Sequence, residues 1–256
     1  MEIPSYDLLG VRVNPLAIPD LHTIIAETVN SCQRCVIASQ NLHSIYLYHR
    51  NAKMRAFGAQ VQYMRTDGMS LVLLGRLLGY PLRREHRVTY VDWVRPLMAE
   101  SARQSWRIFY LGSKPGVAEC GAELLRKEFP GLQIMNADGY FDATAGSAEN
   151  QKILELIDAY QPNVLMVGMG MPRQEHWILD NLESIHANVI LTCGACIDYI
   201  AGEIPTPPRL MGRLGLEWLY RLLSEPRRLW KRYLLEPWFV ANLFVREVWI
   251  QRIQVK

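Results

Sequence analysis

What most limits the fold of this 256-residue chain is a set of short, largely unbroken apolar runs: Cys35–Ser39, Arg107–Gly112, Leu132–Asn136, Val164–Gly168 and Val189–Thr192. A strand with one wet face alternates apolar and polar residues, whereas a strand that is apolar throughout is covered on both faces. Between the runs lie stretches with helical spacing, among them Val117–Glu128 and Ala148–Tyr160. Helix starts are marked by Pro115 and by Pro172 ahead of Arg173–Leu182. Strands alternating with helices predict an α/β fold, with a mostly parallel sheet and helices on both of its faces. The length suits one such domain plus a small appendage.

The pattern changes after Gly202. Pro205, Pro207 and Pro208 form a stiff extended connector, because proline fixes φ and disfavours helix in the residue before it. We therefore divide the chain into a core, 1–202, and a helical appendage, 203–256. Within the appendage three helical pieces are expected, Gly215–Ser224, Arg227–Leu235 and Trp238–Ile253, broken at Glu225-Pro226 and Glu236-Pro237. Ten Lys/Arg stand against five Asp/Glu between Glu203 and Lys256, while the whole chain holds 28 against 25, so the positive charge is concentrated there. Four of the seven tryptophans, Trp218, Trp230, Trp238 and Trp249, lie among those cations. That mixture fits an interfacial helix, with aromatic rings at headgroup level and cations on anionic lipid, in addition to docking on the core. Four tryptophans and so modest a charge argue against nucleic acid. The longest apolar run of the tail, Trp238 to Val245, is interrupted by Asn242 and is too short to span a bilayer. The start, with Glu2 and Asp7, shows no secretory signal, and five cysteines point to reduced thiols in the cytosol. The two CxxC pairs sit in or beside apolar runs and read as buried small side chains.

Ligands of an α/β sheet gather at the loops after the strands' carboxyl ends. Four such loops carry chemistry: Gly112-Ser113-Lys114-Pro115-Gly116, Gly168-Met169-Gly170-Met171-Pro172-Arg173-Gln174-Glu175, Arg65-Thr66-Asp67-Gly68 and Cys193-Gly194-Ala195-Cys196-Ile197-Asp198. Glycines allow close approach to a phosphate, and a helix N-terminus favours negative charge. A bare GxG marks a tight strand-to-helix turn just as readily, and either aspartate could be a turn or cap carboxylate. The dinucleotide fingerprint fails at Arg173, and the GxxxxGK[ST], HExxH, GxSxG and DxD motifs are absent. The acidic run Asp138–Glu149 lacks the central glycine of a calcium loop, which is Ala143.

Read together, these segments resemble the WecG/TagA/CpsF family of bacterial glycosyltransferases (glycosyltransferase family 26). The matching pieces are Ser39-Gln40-Asn41, Thr66-Asp67-Gly68, Arg87-Val88-Thr89, Tyr110-Leu111-Gly112 with Pro115-Gly116, and Gly139-Tyr140-Phe141. They continue through Gly170–Trp177, Cys193-Gly194-Ala195, Gly215–Arg221 and Glu225–Arg228, in family order over nearly the whole chain. The resemblance implies a Rossmann-like core, inversion at the anomeric carbon, and neither a metal nor a cofactor. The donor it implies is a UDP-sugar. The acceptor it implies is a polyprenyl-diphosphate-linked saccharide of exopolysaccharide, teichoic acid linkage or common-antigen synthesis. The expected location is the cytoplasmic face of the inner membrane, held peripherally, without nucleic acid and with a homo-oligomer as a possible state.

Carried over position by position, Asp67 matches the general base and Ser39 and Asn41 match sugar-contacting residues beside it. Arg87 matches a cation against the substrate diphosphate, and Gln174 and Asp198 match polar residues of the sugar or nucleotide pocket. Arg221, Arg228 and Arg232, with Lys231 beside them, match tail cations that close over the departing UDP. Thr66, Gly112, Gly139, Tyr140, Gly170 and Pro172 are carried as further substrate-binding positions of the matched motifs. The family commonly has Thr at Ser39, Gly at Tyr90, Lys at Arg173 and Phe at Ile197; Tyr90 and Ile197 could reshape the sugar pocket. Two competing readings are a nucleotide-dependent oxidoreductase, against which the broken glycine fingerprint speaks, and a non-catalytic membrane adaptor, against which the intact Asp67, Asn41 and Gln174 speak.

Overall fold

A computed structural model describes residues 3–254. Met1, Glu2, Val255 and Lys256, which the expected core and appendage include, lie outside the described residues. A hairpin of β1 (Tyr6–Leu8) and β2 (Val11–Val13) precedes the main sheet. That sheet holds β3 (Cys35–Gln40), β4 (Tyr63–Thr66), β5 (Arg107–Gly112), β6 (Gln133–Ala137), β7 (Val164–Gly168) and β8 (Val189–Thr192). The order is β4-β3-β8-β7-β5-β6 and every neighbouring pair is parallel. The five expected strands lie within a residue of their expected bounds. Strand β4 escaped the pattern because Tyr63-Met64-Arg65-Thr66 is short and contains an arginine, which reads as a solvated residue.

The unbroken apolar runs have the expected cause. Cys35 and Ile37 of β3 face one layer together with Ile108, Tyr110, Val164 and Val189, while Val36, Ala38, Phe109, Leu111 and Leu165 face the other. Helices Ile18–Asn30, Tyr90–Gln104, Val117–Glu128 and Cys196–Ile200 cover the first face; Ala52–Gln60, Ala148–Tyr160 and Arg173–Asn181 cover the second. Each fully buried aliphatic or aromatic side chain contributes about 2 kcal/mol. Both layers are therefore needed, and neither face is left wet.

Strand connections position the site. After β5 the chain turns onto the first face, and after β7, its neighbour, onto the second, so a crevice opens between their carboxyl ends. Gly112 and Gly168 stand opposite each other there, and a Cβ on Gly112 would meet the Gly168 carbonyl oxygen at 2.4 Å. Only glycine permits that approach.

The C-terminal segment is helical and folded back on the core. Residues 203–208 carry no regular structure, and helices Arg209–Leu214, Glu217–Ser224 and Pro226–Trp230 follow. The break expected at Glu236-Pro237 does not occur. A π-helical turn, Lys231–Leu235, leads directly into helix Glu236–Gln254. Its wider spacing, with the Glu236 N–H donating to the Lys231 carbonyl, accommodates Pro237, which has no N–H and would collide with a normally placed carbonyl. Val240 is buried against Leu8, Val11, Ile45 and Leu71, with Phe239, Leu243 and Phe244 packed around it. His43 and Glu236 meet at 2.6 Å across the same junction. Among the described residues no helix is long and apolar enough to cross a membrane.

Candidate active site

Asp67 sits at the carboxyl end of β4, in the turn that opens helix Met69–Leu77. Gly68 has φ +102° and ψ 150°, a conformation that essentially only glycine adopts. That turn brings the carboxylate over the end of the sheet, with the Asp67 N–H donating to the Gln40 carbonyl at 2.7 Å. Asn41 is fixed by its own helix. Its side-chain oxygen accepts from the Ser44 N–H at 3.0 Å, capping helix Leu42–Arg50, which leaves its amide nitrogen 3.4 Å from Asp67 Oδ2. Ser39, at the end of β3, is held by Thr192 of β8, whose hydroxyl accepts the Ser39 N–H at 3.2 Å.

Two cavities meet at Asp67. One, of about 220 Å³, is polar and lies over the sheet; Ser39, Asn41, Gly170, Gln174, Arg221 and Arg228 are among its lining residues. The other, of about 500 Å³, is more apolar, with Leu42, Met69, Leu73, Trp218, Tyr233 and Pro237 in its wall. Asn41, Asp67, Glu217, Arg221 and Arg232 line both. The tail therefore supplies much of the wall, and two carboxylates, Asp67 and Glu217, share the boundary between the two spaces with Arg221 and Arg232. Burial pushes the Glu217 carboxyl up, against the pull of Arg87 and with Asp67 and Asp92 adding to the rise. Burial lowers the Arg232 guanidinium, although an arginine stays protonated across the physiological range.

Of the residues expected from sequence, Ser39, Asn41, Asp67, Gly170, Gln174, Arg221, Arg228 and Arg232 come together around these cavities. Others take different places. Thr66 is fully buried, its hydroxyl donating to the His86 carbonyl. Arg87 lines neither cavity, and its guanidinium holds Asp92 at 2.5 Å and Glu217 at 3.3 Å, tying the tail to the core. Pro172, which follows a cis peptide bond, is the residue that precedes helix Arg173–Asn181. Gly112, Gly139, Tyr140 and Asp198 gather instead at the β5–β7 crevice. There the Gly139 N–H donates to the Ser113 carbonyl at 2.9 Å and Tyr140 is largely exposed. Burial raises the Asp198 carboxyl, partly offset by a hydrogen bond from Ser113.

Gln174 has a role that its sequence position does not reveal. Its side-chain oxygen accepts the Gly170 N–H at 3.2 Å and the Gly194 N–H at 3.1 Å, joining the loops after β7 and β8. Three residues on, the Trp177 indole donates to Asn150 at 2.7 Å, and Asn150 donates to Asn181, so the same motif anchors its helix to Ala148–Tyr160. The motif is thus largely architectural. Arg65, named in the sequence only as part of the Arg65–Gly68 loop, was given no role of its own. It is 1% exposed, lines the polar cavity, stacks over Tyr90 with its guanidinium carbon 4.5 Å from the ring centroid, and leaves Nη2 without a partner among the described residues. A lone arginine in a short strand gives no sequence signal for this. Glu217, Trp218 and Tyr233 were also missed, and the first two lie in the quoted Gly215–Arg221 string.

Among the described residues no three His, Cys, Asp or Glu side chains are grouped to hold a metal ion. The polar cavity can accept an anion on Arg221, Arg228 and Arg232 while Asp67 faces a hydroxyl presented from the apolar side.

The family model described as "Glycosyl transferase WecG/TagA/CpsF family" matches residues 6–254. Curated relatives include an N-acetylglucosaminyldiphosphoundecaprenol N-acetyl-beta-D-mannosaminyltransferase of Bacillus spizizenii. It is 27% identical over 199 residues, covering 77% of this chain and 74% of that protein. A protein of the same name from Staphylococcus aureus (strain MRSA252) is 27% identical over 236 residues, covering 88% of this chain and 85% of that protein.

Proposed function

This chain belongs to the WecG/TagA/CpsF family of glycosyltransferases, and from that premise we propose that it moves a sugar from a UDP-sugar to a saccharide carried on polyprenyl diphosphate at the cytoplasmic membrane surface. The observation that carries the reading is the position of Asp67, on the shared wall of a polar, arginine-lined cavity and an apolar, aromatic one. The donor occupies the first and the acceptor enters from the second. Names of the relatives support an acceptor of the N-acetylglucosaminyl-diphosphate-lipid type and an N-acetylhexosaminyl donor.

The acceptor oxygen attacks the anomeric carbon as its proton passes to Asp67. The bond from that carbon to the β-phosphate oxygen breaks, UDP leaves with the electron pair, and the configuration inverts. A placed general base of this kind contributes about 10²- to 10⁴-fold. Arg221, Arg228 and Arg232 stabilise the departing diphosphate in a partly dry site, without a metal, through the planar two-pronged contacts that arginine makes with phosphate. Asn41 steadies the base through its amide. Arg65 adds positive charge beneath the pocket.

Exposed large apolar side chains support the membrane part of the reading. They concentrate in the tail, with Leu223, Trp238, Val245 and Trp249 among them, and on helix Met69–Leu77, where Leu73 and Leu77 are exposed. Exposed Arg227, Lys231 and Arg246 accompany them. The apolar cavity includes Leu73 and Trp218 in its wall, so it opens beside the surface from which a lipid-linked acceptor would come. The test is a screen of UDP-sugars by thermal shift, followed by transfer assays with short-chain polyprenyl-diphosphate saccharides and NMR of the product linkage. An inverted linkage formed equally fast with and without a chelator is expected. No transfer from any UDP-sugar, or loss of transfer on chelation, contradicts the proposal.

A further inference from the structure

Glu175 lies directly behind the polar cavity and takes no part in the chemistry described above. Its side chain is 2% exposed. Oε1 accepts from Gln174 Nε2 at 2.7 Å, and Oε2 has no hydrogen-bond partner among the described residues. Glu175 lines a small space of about 20 Å³ together with Ser39, Gln40, Ser44 and Tyr48. Ser39 and Met171 line both this space and the polar cavity, and Gln174, which Glu175 holds, lines the polar cavity as well.

An amide side chain has two chemically opposite ends. The Gln174 oxygen faces two backbone N–H groups, of Gly170 and Gly194, and rotation by half a turn would set its NH₂ against both donors. Something must specify which end points to the loops. Gly170 has φ +79° and Gly194 φ +52°, and a Cβ on either would meet nothing within 4 Å, so at the glycines themselves the Gln174 oxygen is the contact that holds each N–H. Glu175 Oε1 accepts from Gln174 Nε2, and so adds a third hydrogen bond to the orientation in which the Gln174 oxygen holds both glycine N–H groups.

We infer that Glu175 is a positioning residue that acts through Gln174 to lock the two glycine loops walling the polar cavity, and so sets the affinity for the nucleotide-sugar without touching it. The inference rests on the proposed function only for the identity of that ligand. A carboxyl this buried is also best kept protonated, and burial pushes it up to about 7 although the Gln174 amide pulls the other way. A glutamine supplies the same acceptor oxygen without the charge. An apolar residue of similar size supplies none and leaves Gln174 Nε2 buried without a partner, which also frees its amide to turn.

The test compares Glu175→Gln and Glu175→Met by backbone amide hydrogen exchange at Gly170 and Gly194 and by the KM for the UDP-sugar. Slow exchange at both glycines and a donor KM within about twofold of the parent are expected for E175Q. For E175M, exchange at both should accelerate at least tenfold and donor KM rise about tenfold, with kcat changing far less. Parent-like exchange in E175M, or equal damage in E175Q, overturns the inference. If E175M does not fold, Glu175→Asp withdraws the oxygen by one methylene, and unchanged exchange at Gly170 and Gly194 in that variant overturns it equally. Exchange is measured without substrate, so an intact clamp in a protein that transfers no sugar contradicts the proposed function and leaves the positioning role standing.

Discussion

At the residue scale, two carboxylates near one cleft are assigned opposite tasks by their surroundings. Asp67 is half-buried beside an amide and at the mouth of two cavities, whereas Glu175 is sealed behind them. The second has a consequence for stability. Its folded-state pKa is raised to about 7, above the ordinary 4.5, so between those values the folded chain keeps a proton that the unfolded chain has lost. Stability contributed by the neutral acid is complete below 4.5 and is lost as pH rises through 7, at a total cost of about 3 kcal/mol. Glu175→Gln should therefore gain about that much over the parent between pH 4 and pH 8 in denaturant titrations. A stability difference between E175Q and the parent that does not change with pH would show that Glu175 ionises normally. Gly68 poses the converse problem. Any side chain there strains the turn by about 1–3 kcal/mol, so Gly68→Ala should lower the melting temperature and also reduce turnover by moving Asp67. Loss of stability with full turnover would show that the aspartate tolerates displacement.

At the element scale, what the sequence discloses depends on whether a property is local. Continuous apolar runs disclose two-sided burial, which is why β5, β7 and β8 lie where expected, and Pro172 marks a helix start that the structure keeps. The hairpin β1–β2 and strand β4 are too short for periodicity to reveal them. The break expected at Pro237 failed because a prolyl residue constrains only the turn before it, and a π-turn there satisfies that constraint. Site residues divide along the same line. Motif positions lie in the loops at the sheet's carboxyl edge, and the structure adds partners the sequence does not show: Gln174 and Thr66 bond backbone groups, and Arg87 pairs with Asp92 and Glu217. The pairing of Arg87 with Glu217, 130 residues on, has no local signature. The tail's docking is likewise non-local, and Val240 shows how far it depends on the core. Val240→Asp should detach helix Glu236–Gln254 at a cost of at least about 2 kcal/mol, seen as fast amide exchange through that helix while β3–β8 stay protected. Full protection in that helix would show that the junction is held by other contacts.

At the scale of the whole molecule, sheet and tail form one working arrangement. The sheet's carboxyl edge supplies Ser39, Asn41 and Asp67, while the tail supplies Arg221, Arg228, Arg232 and the aromatic wall. Removing everything after Gly202 should abolish transfer and liposome binding. It should also lower the melting temperature without melting the sheet, because both of the sheet's faces keep their own helices. Leu73→Glu with Leu77→Glu should weaken binding to anionic liposomes severalfold in the full chain, since these side chains extend the tail's apolar surface onto the core. Unchanged binding would confine lipid contact to the tail. In the proposed reaction the Asp67 carboxylate takes the proton of the attacking hydroxyl while arginines hold the departing diphosphate. The most direct test is the rate of sugar transfer by Asp67→Asn alongside UDP affinity measured by calorimetry. A fall in kcat of at least about 100-fold, with UDP affinity kept within a few-fold, is the expected result; transfer at near-parent rates would contradict the claim.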